Sequence, residues 1–208
     1  MLRPITSVAL LACFVSLCQA EKNASIAPKL ATVGSPALEE SFDEMPKLMA
    51  GVKGDWKVVG GVLTGKEIKS DKHAAVLNFQ KKNHNSVVRF SFKFDDKTKG
   101  LHFSLNHPKG HLFRVVVDSS QLKLQLDKDK KDPKSKSMSL GTAKGKFEQG
   151  QWYTMQVEMV GDQVVAKTDN GAVVEGSHAR LDTPKPNYRF VMRGETLSID
   201  DLHIWDVK

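Results

Sequence analysis

Beyond Trp56 the apolar positions of this chain fall into short runs that alternate with polar residues every second position, and turns rich in Gly, Pro, Asn and Asp separate the runs. Period-two alternation is the signature of a strand with one buried and one wetted face. The runs cover 56–59, 61–64, 74–80, 86–94, 101–107, 111–118, 121–126, 152–160, 163–168, 172–175, 188–192 and 196–207. No helical period interrupts them. This predicts an all-β chain of two antiparallel sheets packed as a jelly-roll sandwich, with little helix. One short helix is expected over 37–49, interrupted at Pro46 and anchored by Phe42.

The central hairpins also predict their own register. If Pro108-Lys109-Gly110 is a three-residue loop with Gly110 left-handed, Leu105 faces Phe113, Phe103 faces Val115 and Leu101 faces Val117. A two-residue Ser119-Ser120 turn then sets Val117 against Leu122, Val115 against Leu124 and Phe113 against Leu126. Two independent turns agree on one apolar face. Alternation assigns the other face to His102, Ser104 and Asn106, then Arg114 and Val116, then Lys123 and Gln125. The run 86–94 buries Val88, Phe90, Phe92 and Phe94 and presents Arg89, Ser91 and Lys93; it lies either beside those strands or across the sandwich. Asp200-Asp201 reads as a bulge before Leu202, with one carboxylate bonding the backbone.

Ahead of the strands the pattern changes. Residues 1–20 carry a single charge, Arg3, then an apolar stretch over 8–17 and the small-residue ending Cys18-Gln19-Ala20, which reads as a signal peptide cleaved after Ala20. The apolar stretch is shorter than the roughly 20 residues a membrane span needs, so no transmembrane segment is expected. Export to a periplasmic or extracellular location follows. Both cysteines lie in this segment, leaving none to staple the remaining chain. Residues 21–35 read as a flexible linker, and 36–208 as one sandwich domain with strands from about 56.

The balance of 31 Lys and Arg over 24 Asp and Glu gives a net charge of +7, which steers toward acidic partners without naming one. The chain has no Gly-x-Ser-x-Gly elbow and no phosphate loop. It also lacks the alternating carboxylates that a retaining glycosidase would place about 5 to 5.5 Å apart. The run 127–132 resembles a calcium loop but lacks Gly at the sixth place and the bidentate Glu, and so 127–137 reads as a solvated charged loop. His107 and His111 are expected as core-side neighbours at the hairpin mouth with His102 on the opposite face, so the three do not converge on a metal. No cofactor is expected, and the sequence gives no support for a divalent metal. Trp56, Trp152 and Trp205 stand at strand ends, where an aromatic closes a core. What remains is the polar face, whose Arg, His, Asn and Gln side chains match the hydroxyls and charges of an extended carbohydrate.

Trp56-Lys57-Val58-Val59-Gly60-Gly61-Val62-Leu63, His73-Ala74-Ala75-Val76-Leu77, Asn106-His107-Pro108-Lys109-Gly110-His111-Leu112-Phe113-Arg114-Val115, Gly150-Gln151-Trp152-Tyr153 and Asp200-Asp201-Leu202-His203-Ile204-Trp205 together resemble the 3-keto-disaccharide hydrolase domain family. The resemblance spans about 42–208. It implies an exported domain, family 16 glycoside hydrolase-like, with a concanavalin-like lectin/glucanase or LamG-like fold. It further implies cleavage of glycosides oxidised at C3, begun by a base that removes the acidified C2 proton. On the resemblance and the derived face together, His102 is the candidate base and Arg114 the candidate oxyanion stabiliser. Ser104, Asn106, Arg89, Gln125 and Lys123 are the candidate substrate-binding residues, and no metal ligand is assigned.

Three function classes stay open. A hydrolase would turn over keto-glycosides, a lectin-like module would bind sugar without cleaving it, and an envelope structural protein would hold acidic polysaccharide through the lysines of 128–136. Carbohydrate is the expected partner, nucleic acid is not, and a monomer is expected.

Overall fold

The computed structural model describes residues 25–95, 97–108 and 110–208. The expected signal peptide and residues 21–24 of the expected linker lie outside the described residues. The first strands are β1 (Val33–Glu40), β2 (Met49–Lys53), β3 (Asp55–Val59), β4 (Val62–Lys66) and β5 (Ala75–Phe79). Next come β6 (Ser86–Phe94), β7 (Gly100–His107), β8 (Gly110–Val117), β9 (Gln121–Leu126) and β10 (Met138–Lys144). The last are β11 (Trp152–Val160), β12 (Gln163–Thr168), β13 (Val173–Ser177), β14 (Tyr188–Arg193) and β15 (Leu197–Val207). Two single-turn 3-10 segments, Lys69–Asp71 and Ala179–Leu181, are the helical elements among the described residues.

Sheet I has the order β13-β12-β11-β6-β15-β4-β3, with β1 added along the second half of β15, and sheet II has the order β10-β9-β8-β7-β14-β5-β2. Every pairing between these strands is antiparallel. The all-β jelly-roll sandwich expected from the alternation is what the chain forms. Its interior is aromatic: Phe90 meets Phe190 edge-on at 5.1 Å between ring centroids and lies 5.4 Å from Phe103, which ties β6 of sheet I to β7 and β14 of sheet II. Such pairs add about 0.5–1.5 kcal/mol each beyond the area they bury.

The hairpin register is as derived. Leu101, Phe103 and Leu105 oppose Val117, Val115 and Phe113, and these last three oppose Leu122, Leu124 and Leu126. The Asp200-Asp201 bulge is also present: the register of β15 on β6 shifts between Asp200 and His203, Asp201 has φ +48°, and its N–H donates to Asp200 Oδ1 at 2.9 Å.

The N-terminal expectations need correction. The stretch 37–49 is not helical, because β1 runs to Glu40 and hydrogen-bonds along β15, and the chain then turns through Phe42 at φ +58°. Phe42 is nevertheless fully buried. Nor is 25–35 a free linker: the backbone N–H groups of Lys29, Leu30 and Ala31 all donate to the Glu158 carboxylate at 2.7–2.9 Å, and β1 already begins at Val33. Strands therefore start well before residue 56. The tryptophans differ too. Trp56 packs against the core, but Trp152 and Trp205 alternate onto the outer face of sheet I, under Lys93 and Arg89 respectively.

Candidate functional site

The outer face of sheet II gathers most of the residues singled out above. Reading across from β5 to β9, one row of directly opposed residues is Asn78, Arg189, Ser104, Arg114 and Gln125. The adjoining row is Val76, Val191, His102, Val116 and Lys123. Neighbouring strands stand about 4.8 Å apart, so the backbones of Arg189 and Arg114 are separated by roughly 10 Å with Ser104 between them. Ser104 is short and buried, and the Arg189 side chain reaches across β7, its Nη1 coming within 2.9 Å of His111 Nδ1 on β8. His102 and Asn106 lie two residues to either side of Ser104, about 7 Å along β7. His102 stands between Val191 and Val116, so the cationic row borders an apolar one.

Arg114 is held in place. Its Nε donates to Asp127 Oδ2 at 3.2 Å and its Nη2 to Oδ1 at 2.6 Å, and Gln125 Nε2 donates to the same carboxylate at 3.4 Å. Arg180, from the second 3-10 turn, donates to the Asp127 carbonyl at 2.8 Å. A two-point guanidinium–carboxylate pair of this kind fixes orientation as well as charge. Asp127 therefore belongs to the face and not to a solvated loop, as its place in the alternation after Lys123 and Gln125 could have signalled.

A second correction concerns His111. Leu105 opposes Phe113 but Asn106 opposes His111, so Leu112 is the extra residue of a bulge and His107 opposes Gly110 across a shorter turn than expected. Gly110 has φ +149°, open to glycine but not the left-handed value expected. The bulge turns His111 outward. Its Nδ1 lies 3.0 Å from Asn106 Oδ1 and 2.9 Å from Arg189 Nη1. The two hairpin histidines are thus not core-side partners, and among the described residues no three His, Cys, Asp or Glu side chains group as a metal site.

The electrostatics follow from burial beside cations. Burial, then Arg114 and Arg193, lower the His102 pKa to about 4 against the opposing pull of Asp127. His102 is a neutral imidazole at pH 7. Burial and Arg189 likewise push His111 down, and burial and Arg114 push Arg189 down, in both cases against the opposing pull of Asp127. Of Arg114, Arg189 and Arg193, Arg114 alone has a carboxylate within 4.0 Å among the described residues.

Arg89 is elsewhere. It lies on β6 of sheet I, pointing out of the opposite side of the sandwich, with its guanidinium 4.9 Å above the Trp205 ring, which in turn stacks on His203 at 5.4 Å. It shares no ligand with His102 or Arg114. Arg189, Val191 and Arg193 were missed in the sequence. They alternate outward on β14, residues 188–193, but nothing local says that this strand pairs with β7, some 85 residues earlier.

No family model matches the chain, and no curated protein matches it in sequence. Solved structures do resemble it. A carbohydrate-binding module, CBM66, from Bacillus subtilis aligns with TM-score 0.61 at 10% identity over 76% of this chain and 96% of its own. SCLam, a non-specific endo-β-1,3(4)-glucanase of family GH16, aligns with TM-score 0.61 at 10% identity over 90% and 95%. A LamA variant from Z. galactanivorans, in complex with laminaritriose and laminaritetraose, aligns with TM-score 0.61 at 12% identity over 84% and 100%. What they share with this chain is the jelly-roll fold. Among the described residues no helix is long and apolar enough to cross a membrane.

Proposed function

We propose that the protein is an exported carbohydrate-recognition domain that takes an extended sugar across the outer face of sheet II. The observation that carries this reading is the row that sets Arg189 and Arg114 on either side of Ser104, bordered by Val191 and Val116. Sugar rings present hydroxyl edges and C–H faces, and here amide and guanidinium donors adjoin an apolar strip. Asn106, Gln125 and Lys123 extend the polar contacts to either side. The likeness in fold to a carbohydrate-binding module and to glucanases supports the same class of ligand. The test is a glycan array with the purified protein: saturable retention that Arg114→Ala or Asn106→Ala lowers at least tenfold is expected, and no retention of any glycan overturns the reading.

A second reading, cleavage of 3-keto-glycosides, is favoured by one observation, the neutral His102 beside Arg114. In that reaction His102 accepts the C2 proton, the charge collects on the C3 oxygen near Arg114, and the C1–O bond breaks to release the aglycone. A base with a pKa of about 4 is weak for this work, which is why binding comes first. Chromatography of matched native and 3-keto disaccharides decides it: cleavage confined to keto forms and lost in His102→Ala supports the reaction, and intact sugars throughout remove it.

A further inference from the structure

The outer face of sheet II carries more positive charge than it neutralises. Arg189 and Arg193 project from β14, Arg114 from β8 and Lys123 from β9, and among the described residues Asp127 is the carboxylate near them, already taken by Arg114. Asp118, at the end of β8, is committed to its own turn, accepting from Ser120 and from Gln121 Nε2. Arg189 is half-buried with no carboxylate within 4.0 Å among the described residues; its neighbours are Asn78, Ser104 and the uncharged His111. Burying a guanidinium without a counter-charge is costly, so a face that keeps one there is built for a charge that arrives with the ligand.

Resting on the carbohydrate reading above, we infer that the ligand is an anionic saccharide whose oxyanion, a uronate carboxylate or a sulfate ester, is held by Arg189 and Arg114 on the outer face of sheet II. The geometry suits a planar or tetrahedral oxyanion. Arg114 is oriented by Asp127 and retains N–H groups that this pair does not use, while Arg189 has donors beyond the one near His111. Val191 and Val116, in the adjoining row, then meet the C–H face of the sugar ring that bears the anion, which a free phosphate or an acidic peptide would leave uncovered.

The test is affinity for matched oligosaccharides of one length in three forms, neutral, uronate-bearing and sulfated, measured by calorimetry at low and high salt with the purified protein. Anionic forms are expected to bind at least tenfold tighter than their neutral counterparts, with the advantage shrinking as salt rises. Arg189→Gln should bring that ratio toward one, and Lys134→Gln with Lys136→Gln in the lysine-rich loop should leave it in place. Preference for the uronate over the sulfate, or the reverse, supports the inference and names the source of the oxyanion. Neutral and anionic forms bound alike overturn it and leave the carbohydrate reading standing. An anionic preference abolished by the loop substitutions but kept in Arg189→Gln overturns it in favour of diffuse attraction. No saccharide bound in any form overturns the carbohydrate reading first and this inference with it.

Discussion

On the outer face of sheet II the long polar side chains stand side by side, and among the described residues Arg189 and Arg193 have no carboxylate within 4.0 Å. On the outer face of sheet I the comparable side chains are occupied by the protein itself. Glu158 is buried beneath three N–H donors from residues 29–31 and one from Gln156, with the Lys167 ammonium 4.0 Å away; Arg89 lies on Trp205, and Lys93 lies over Trp152. Both faces come from the same alternation of polar and apolar residues. The difference teaches that polarity on a sheet exterior is no signal of a site; charge left without an internal partner is.

The comparison breaks most sharply at Arg189. Arg189→Gln is expected to reduce glycan retention at least tenfold, a penalty of about 1.4 kcal/mol or more, while the unfolding midpoint in urea stays near that of the parent. If Trp205→Ala abolishes retention instead, the two faces have been assigned the wrong way round.

On sheet I the large effect should fall on stability. Glu158→Ala leaves the N–H groups of residues 29–31 without their acceptor, and urea unfolding should register a loss of about 3 kcal/mol, with faster proteolysis in 25–32. Unchanged stability and protease resistance would show that this contact contributes nothing.

Two pH effects sharpen the contrast. Burial raises the Glu158 pKa, but the backbone donors of Ala31, Leu30 and Lys29 outweigh it and hold the carboxyl below its ordinary value of 4.5. Its stabilisation is therefore present above that value and lost as pH falls through the depressed one. His102 has a folded pKa of about 4 against an ordinary 6.5, so between those values the unfolded chain takes up a proton that the folded protein refuses, and stability declines as pH falls through the window. Histidine titration by NMR checks the site directly, and a His102 value at or above 6 contradicts the burial and arginine proximity described here. The smallest effect is expected at Arg89: Arg89→Ala should cost about 1 kcal/mol or less and leave glycan affinity alone, whereas a tenfold loss would return Arg89 to the binding face.

How much of this was legible in sequence depends on how local the deciding contacts are. The β7–β8–β9 register could be read because two short turns determine it, and the bulge at Asp200 because two adjacent carboxylates cannot share a face of a regular strand. The strands that escaped notice, β1, β2 and β10, are all at sheet margins, where a strand is half covered and tolerates Pro36, Gly51 or Gly141 without a clean apolar alternation. His102, Ser104, Asn106, Arg114, Lys123 and Gln125 could be placed on one face by alternation. Arg189 and Arg193 could not join them, because the pairing of β14 with β7 is set by the whole sandwich. His111 was turned to the wrong side by a one-residue bulge, the smallest error that can invert a side chain's direction.

The segment 29–31 has one more consequence. Because it is clamped to Glu158 on the exterior of sheet I, the N-terminal end of the described residues lies on the side of the molecule opposite Arg189 and Arg114. A label, bead or surface coupled through that end would therefore hold the protein by its back and leave the arginine-lined face turned outward, ready for capture.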